Sequence, residues 1–194
     1  MVVRYGILGI LAESPCYGTQ LRQELLRRTA GLLDVNSGQI YSTLDRLARD
    51  GLVHKLDTPE HGRVLYEPTE QGLAVFRHWL ETVDEGAATI DTIRKVSLAL
   101  SLPSVDGQAV AQRNLDACLQ RSTAPMDGLP EPLTSMVWLG YHSVLNAETN
   151  WLRQVIQQAS RTPTAFPVDQ ERPRRGRPPK RVSRQAVPDA GEAR

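Results

Sequence analysis

The sequence predicts a mainly α-helical chain carrying one small β-hairpin, and three observations predict it. Apolar residues recur at helical spacing through most of the 194 residues, while aromatics make up only 5% of them, which implies an aliphatic, helix-built core. The period changes to two at one place, after Gly51, where two short apolar runs flank a turn rich in Pro and Gly. The order of elements over the first 82 residues is helix, helix, helix, hairpin, helix, which is the order of a winged helix-turn-helix domain. A second helical part follows.

Val2 to Ala12 is apolar with helical character, carried by Val3, Ile7, Leu8, Ile10 and Leu11. Ser14-Pro15 ends it, because the residue before a proline disfavours the α region. Tyr17-Gly18-Thr19-Gln20 opens a second helix, with Leu21 and Leu25 inward and Arg22, Gln23, Arg27 and Arg28 outward. Gly31 to Asn36 makes a turn, and either Asn36 or Ser37 is a good N-cap for a third helix.

That third helix is the most informative stretch. Ile40, Leu44 and Leu47 follow i, i+4, i+7 and share one face. Gln39, Ser42, Arg46 and Arg49 fall on the opposite face, which is polar and cationic and has donors that reach base edges or phosphates. Gly51 suits the left-handed residue that ends a helix. Leu52–Leu56 and Arg63–Glu67 then read as strands around a tip at Thr58–Gly62. Pro68 stops the ladder, and Thr69 caps a helix that carries Val75, Phe76, Trp79 and Leu80. A recognition helix leading into a β-wing points to DNA. Tyr41 borders the core, and two readings stand for it: half-buried with its hydroxyl outward, or in direct contact with DNA. Arg46 and Arg49 are read as phosphate contacts, against plain solvated charges.

Beyond residue 82, Ile90, Ile93 and Val96 mark one apolar stripe closed by Leu102-Pro103, and Val105 to Arg121 is amphipathic. A Pro- and Gly-rich connector follows, then a long helix from Leu133 to Ala159. Val137, Val144, Trp151 and Val155 recur along it at near-heptad spacing, with Leu145, Leu152 and Ile156 beside them. This stripe exceeds what one small domain can cover, so a second helix from a two-fold partner is expected on it. Trp138, Val144, Trp151 and Val155 are candidates for the dimer interface. The tryptophans are read first as buried packing and, in the sharper reading, as the lining of a cavity for a flat aromatic effector. The expected organisation is a DNA-binding domain over 1–82, a helical dimerisation and effector region over 83–160, and a disordered tail over 161–194.

The tail carries the charge. Arg172 to Arg184 holds seven cations and no acid, whereas residues 1–171 sum to −5. Pro173-Arg174-Arg175-Gly176-Arg177-Pro178-Pro179-Lys180-Arg181 resembles an AT-hook. Gly176 lets the backbone sit deep in a narrow groove, Pro178 keeps the segment extended, and Arg175 and Arg177 can lie along an A·T minor groove. A solubilising, low-complexity tail is the other reading of the same residues.

Several classes are set aside. Cys16 and Cys118 have no metal or redox spacing and are read as free buried thiols. His54, His61, His78 and His142 form no ligand pattern, and neither a phosphate loop nor a nucleophile motif is present. No metal, no cofactor and no enzymatic activity are expected. With no leader pattern and no membrane-length apolar run, a soluble protein acting on the cytoplasmic nucleoid is expected.

Three blocks of the first 80 residues resemble the PadR family of transcriptional regulators. They are Leu8-Gly9-Ile10-Leu11 with Pro15-Cys16-Tyr17-Gly18-Thr19-Gln20-Leu21; Ser37 to Leu47 continuing through Asp50-Gly51-Leu52-Val53; and Gly62-Arg63 with Tyr66-Glu67-Pro68-Thr69-Glu70-Gln71-Gly72. The resemblance implies a homodimeric repressor whose winged domains bind two half-sites of double-stranded DNA and release it when an effector binds. By position it places Tyr41, Ser42 and Thr43 against DNA, with Gly62 and Arg63 at the wing; Ser37 and Gln39 join them at the helix start. The chain departs from the family in having Thr19 where an aromatic usually follows the glycine, and Val64-Leu65 where the wing is often basic. Two other classes fit the helical pattern: a winged-helix protein–protein interaction module, and a ligand-binding dimer without a DNA role.

Overall fold

The computed structural model describes residues 2–56, 64–84, 86–123 and 132–170. The elements are α1 (Val2–Glu13), β1 (Cys16–Tyr17), α2 (Gly18–Arg28), α3 (Ser37–Arg49), β2 (Val53–Leu56), β3 (Leu65–Pro68), α4 (Glu70–Glu81), α5 (Thr89–Ser101), α6 (Gly107–Thr123) and α7 (Leu133–Ala159). The fold is mainly helical with a small antiparallel sheet, as the periodicities predict. The hairpin tip with Arg63, and the tail residues Arg175, Gly176, Arg177 and Pro178, lie outside the described residues.

The sheet has three strands in the order β1-β3-β2. Val53 pairs with Pro68 and Leu56 with Leu65, while Cys16 pairs with Tyr66. Strand β1 is not foreseen by the sequence reading. Two residues are too few for a period, and only the arrival of β3 gives them a partner. Pro68 is the last residue of β3, and having no N–H it adds no donor to the ladder.

The α3–β2–α4 junction is joined by backbone bonds. Gly51 takes φ +70° and Leu52 N–H returns to the Leu47 carbonyl at 2.8 Å, a left-handed helix stop. Thr69 Oγ donates to the Gly51 carbonyl at 2.8 Å and accepts from Gly72 N–H at 3.0 Å. Gly72 lies so close to β2 that a Cβ there would sit 2.1 Å from the Leu52 carbonyl oxygen. These contacts hold the wing strands at a set angle to α3.

Two apolar clusters form the interior. The larger joins α1 to α4 around Ile7, Leu8, Leu21, Leu25, Ile40 and Leu44, and takes in Leu98 of α5 and Leu102 just after it. The smaller joins α5, α6 and α7 around Val96, Leu115, Cys118, Leu145 and Leu152. Cys16 and Cys118 are both free and buried, and burial pushes the Cys16 thiol up to about 12, which keeps it protonated and unreactive.

Two expectations are corrected. Arg28 does not face outward: it is buried, with Glu24 beside it at 2.9 Å. The segment taken as the start of a free tail, residues 162–170, lies against α5 and α2. Val168 enters the larger core, and the Phe166 ring lies between the guanidinium groups of Arg27 and Arg28 at 4.3 and 4.6 Å. One aromatic and one valine among the prolines supply the burial that the segment's composition does not advertise.

Candidate nucleic-acid interface

Helix α3 begins with a reciprocal capping box. Asn36 Oδ1 accepts from Gln39 N–H at 2.9 Å, and Gln39 Oε1 accepts from Asn36 N–H at 3.1 Å. Asn36 is therefore the cap, and Ser37 is the first helical residue. The first turn is exposed at Ser37, Gly38 and Gln39, so it offers backbone N–H groups and the positive end of the helix dipole to an anion. Because the Gln39 side-chain oxygen is held by the cap, its amide nitrogen is oriented and keeps its donors.

Ile40, Leu44 and Leu47 are buried as the spacing predicts, and Gln39, Ser42, Arg46 and Arg49 are exposed together. Two of the expected contacts part company. Thr43 is only 8% exposed, and its hydroxyl donates to the Gln39 carbonyl at 2.7 Å, so it supports the helix from within and does not present its hydroxyl outward. Tyr41 is 44% exposed. Its ring lies over Gly18 at the start of α2, where a Cβ would come within 2.7 Å of it. Gly18 thus lets the two helices meet, with the Tyr41 ring half-buried between them.

The charge around this face is mixed. Asp45 faces Lys55 of β2 at 3.9 Å, and Asp50 faces Arg4 of α1 at 3.7 Å. These pairs are exposed and weak. Among the described residues they leave Arg46 and Arg49 without an acidic partner on the outer face. A rigid capped helix with a short polar first turn and two uncommitted arginines suits a major groove flanked by phosphates.

Residues 7–78 match the family of PadR-like transcriptional regulators. The similarity covers residues 7–78, less than half of the chain. It runs from α1 into α4, so α5, α6 and α7 lie beyond it. No curated protein matches the chain. Among solved structures, Bacillus subtilis PadR in complex with operator DNA is 17% identical, with a TM-score of 0.40 over 81% of this chain and 97% of that one. Bacillus subtilis PadR alone is 16% identical, with a TM-score of 0.39 over 83% and 96%. The complex of Bacillus subtilis PadR with p-coumaric acid is 17% identical, with a TM-score of 0.36 over 82% and 99%.

Behind the segment that matches this family, a cavity of about 210 Å³ opens where α1 and α4 meet α5 and α6. Tyr5 and Trp79 stack in its wall at 4.8 Å and 5°. The Lys95 ammonium lies 5.1 Å from the Trp79 ring and donates to the Thr82 carbonyl. Asp84, Asp91 and Asn114 complete the polar lining. The sequence reading missed this site. Lys95 sits in the buried stripe of α5 beside Val96, and a lysine at a core position was the available signal.

The four residues expected to line a dimer or effector site divide along α7. Trp151 and Val155 pack on the smaller core beside Leu152, whereas Val144 is exposed and Trp138 stacks on His142 at 4.3 Å. The inward stripe of α7 is Leu145, Glu148, Thr149 and Leu152, with Glu148 accepting from Thr89 at 2.9 Å. Among the described residues, no group of three His, Cys, Asp or Glu side chains could hold a metal ion, and no helix is long and apolar enough to cross a membrane.

Proposed function

We propose that the chain is a homodimeric, sequence-specific DNA-binding repressor acting on the cytoplasmic nucleoid, released by a small planar aromatic effector. The observation that carries this reading is the exposed face of α3 inside the segment that matches the PadR-like family: Gln39, Ser42, Arg46 and Arg49 are presented together on a helix capped at both ends. Ser37 and Gln39 approach the first phosphate or base edge, Ser42 reads a base edge, Arg46 and Arg49 hold phosphate, and Arg63 follows at the wing. The dimer reading rests on the N-terminal half of α7, where Leu133, Met136, Val137, Leu139, Tyr141 and Val144 are all exposed. Two copies reading two half-sites follow from two-fold pairing along such a stripe. The basic tail adds a second DNA element through Arg175, Gly176, Arg177 and Pro178.

The test is binding to the promoter region of the chain's own gene across a salt series. Ser42→Ala is expected to weaken specific binding by roughly 1–3 kcal/mol, and adding Arg46→Ala should weaken binding to all sequences and reduce the salt slope by about 1. A chain ending at Gln170 is expected to bind all sequences more weakly. Its salt slope should also be shallower, by about 0.9 for each phosphate the tail neutralises. Unchanged binding by the α3 variant would point to a protein partner for that face.

The effector site is assigned to the cavity behind that segment. Tyr5 and Trp79 offer a flat apolar wall, and Lys95 and Asn114 offer donors at one end. The cavity spans the seam between the DNA-binding helices and those that lead to α7, so a ligand there bears on the angle between them. Lys95 is 7% exposed, and burial brings its ammonium from 10.5 down to about 8, with Arg113 adding to the fall and Asp84 opposing it. The folded chain therefore releases this proton before the unfolded chain does. The cost of the buried charge is fully present below pH 8, and stability from this group rises between about pH 8 and 10.5. Lys95→Met is expected to abolish that rise, seen as convergence of the two melting temperatures over this pH range. Melting curves that stay equally far apart at every pH would remove Lys95 as the titrating group.

A further inference from the structure

The segment that follows α7 has a direction. From the end of α7 it turns back and crosses α5, where Thr164 Oγ donates to the Leu100 carbonyl at 2.8 Å and Phe166 N–H donates to the Ser101 carbonyl at 3.2 Å. It then runs antiparallel along α2. Arg28 donates to the Phe166 carbonyl at 3.1 Å and Arg27 to the Pro167 carbonyl at 3.0 Å. Asp169 N–H donates to Glu24 Oε1 at 3.2 Å, Gln20 donates to the Asp169 carbonyl at 2.6 Å, and Gln170 donates to Ser14 Oγ at 3.3 Å. The strap thus enters at the C-terminal end of α2 and leaves at its N-terminal end. That end is where Gly18 lies beneath the exposed ring of Tyr41 on α3.

This attachment is built, and it is more than a surface contact. Val168 is buried in the larger core, and Glu24 and Arg28, both buried, hold the strap's backbone. Such ordering is costly unless apolar burial and charge-assisted bonds offset it, and here both are present. Two residues beyond Gln170 the cationic run begins at Arg172, and it contains seven cations and no acid to Arg184.

We propose that residues 163–170 are a mount that delivers the Arg172–Arg184 segment to the same duplex that α3 reads, on the Tyr41 side of the half-site. The inference rests on the DNA-binding reading of α3 and extends it to a longer footprint. The reach agrees. Five residues from Gln170 to Arg175 span at most roughly 18 Å and seven to Arg177 roughly 25 Å, enough to pass from the major groove to the neighbouring minor groove. A cationic arm fixed at that point meets flanking DNA at high effective concentration, whereas one hung from the end of α7 would have to span the whole of α2 first. The body, at −5 over residues 1–171, gains its local attraction for DNA where the recognition helix needs it.

The test compares four full-length-derived chains on operator DNA: the parent; one with twelve Gly/Ser residues inserted after Gln170; Phe166→Ala with Val168→Ser; and a chain ending at Gln170. The inserted chain keeps the strap and every cation but lengthens the tether to Arg175 from five residues to seventeen. It is expected to bind about sixfold more weakly, from the −3/2 power dependence of effective concentration on tether length. It should also lose strand protection beyond the half-site, as should the strap-released variant. An inserted chain and a strap-released chain that both match the parent, in affinity and footprint, overturn the mount. Specific parent binding that no variant weakens, the chain ending at Gln170 included, overturns this inference and the tail's part in DNA binding, and leaves the α3 reading standing. Absence of specific binding by the parent overturns the α3 reading and this inference with it.

Discussion

Glu24→Ala is expected to destabilise the fold by about 3–5 kcal/mol, since it removes the carboxylate paired with a buried guanidinium. Glu24 is 1% exposed and holds both Arg27, at 2.7 Å, and Arg28, at 2.9 Å. Burial pulls the Arg28 guanidinium below its ordinary value, and the Glu24 carboxylate pulls it back up. The Ser101 and Phe166 carbonyls also accept from Arg28, but they satisfy its N–H groups without neutralising its charge. A loss of this size is a large share of the roughly 5–15 kcal/mol that keeps a domain folded. Urea unfolding followed by tryptophan fluorescence measures it. The double variant Glu24→Leu with Arg28→Met should recover most of the loss, because it removes the buried charge together with its partner. A single variant within about 0.5 kcal/mol of the parent, the range of an ordinary surface change, would show the cluster to be solvated in solution.

Leu139→Glu with Val144→Glu is expected to yield a folded monomer that binds a two-half-site operator roughly 10²- to 10⁴-fold more weakly, the scale on which bivalency strengthens binding. Leu139 is 72% exposed and Val144 is exposed, so neither supports the protomer's own core. Helix α7 has 27 residues, about 40 Å of axis, yet the smaller core uses only the half around Leu145 and Leu152. The other half presents Leu133, Met136 and Leu139 to solvent, and this apolar surface is where we propose that a second copy pairs. Sedimentation equilibrium reports the mass and fluorescence anisotropy the affinity. A variant that still sediments as a dimer would move the interface elsewhere. A variant that becomes monomeric with unchanged operator affinity would show that each winged domain binds its half-site alone.

The sequence by itself determined every described element but β1. The bounds of α7, the Thr69 cap, the Gly51 stop and the two faces of α3 all follow from local geometry, because a helix repeats every 3.6 residues and a glycine is needed where φ is positive. The exposed face of α3 was legible for the same reason at Gln39, Ser42, Arg46 and Arg49. Thr43 was not, since its hydroxyl found a carbonyl one turn back and the helix rotated it under the exposed face.

What only the tertiary structure decided involves partners far apart in the chain. Arg28 reads as an outward charge until Phe166, 138 residues later, returns to it, and Gln20 is an ordinary surface amide until Asp169 does the same, 149 residues later. Lys95 reads as an irregularity in an apolar stripe until α1 and α4 bring Tyr5 and Trp79 over it. Burying a charge becomes favourable only when opposite charge, carbonyls and aromatic faces converge from several elements, and a periodicity along one element carries no information about that convergence.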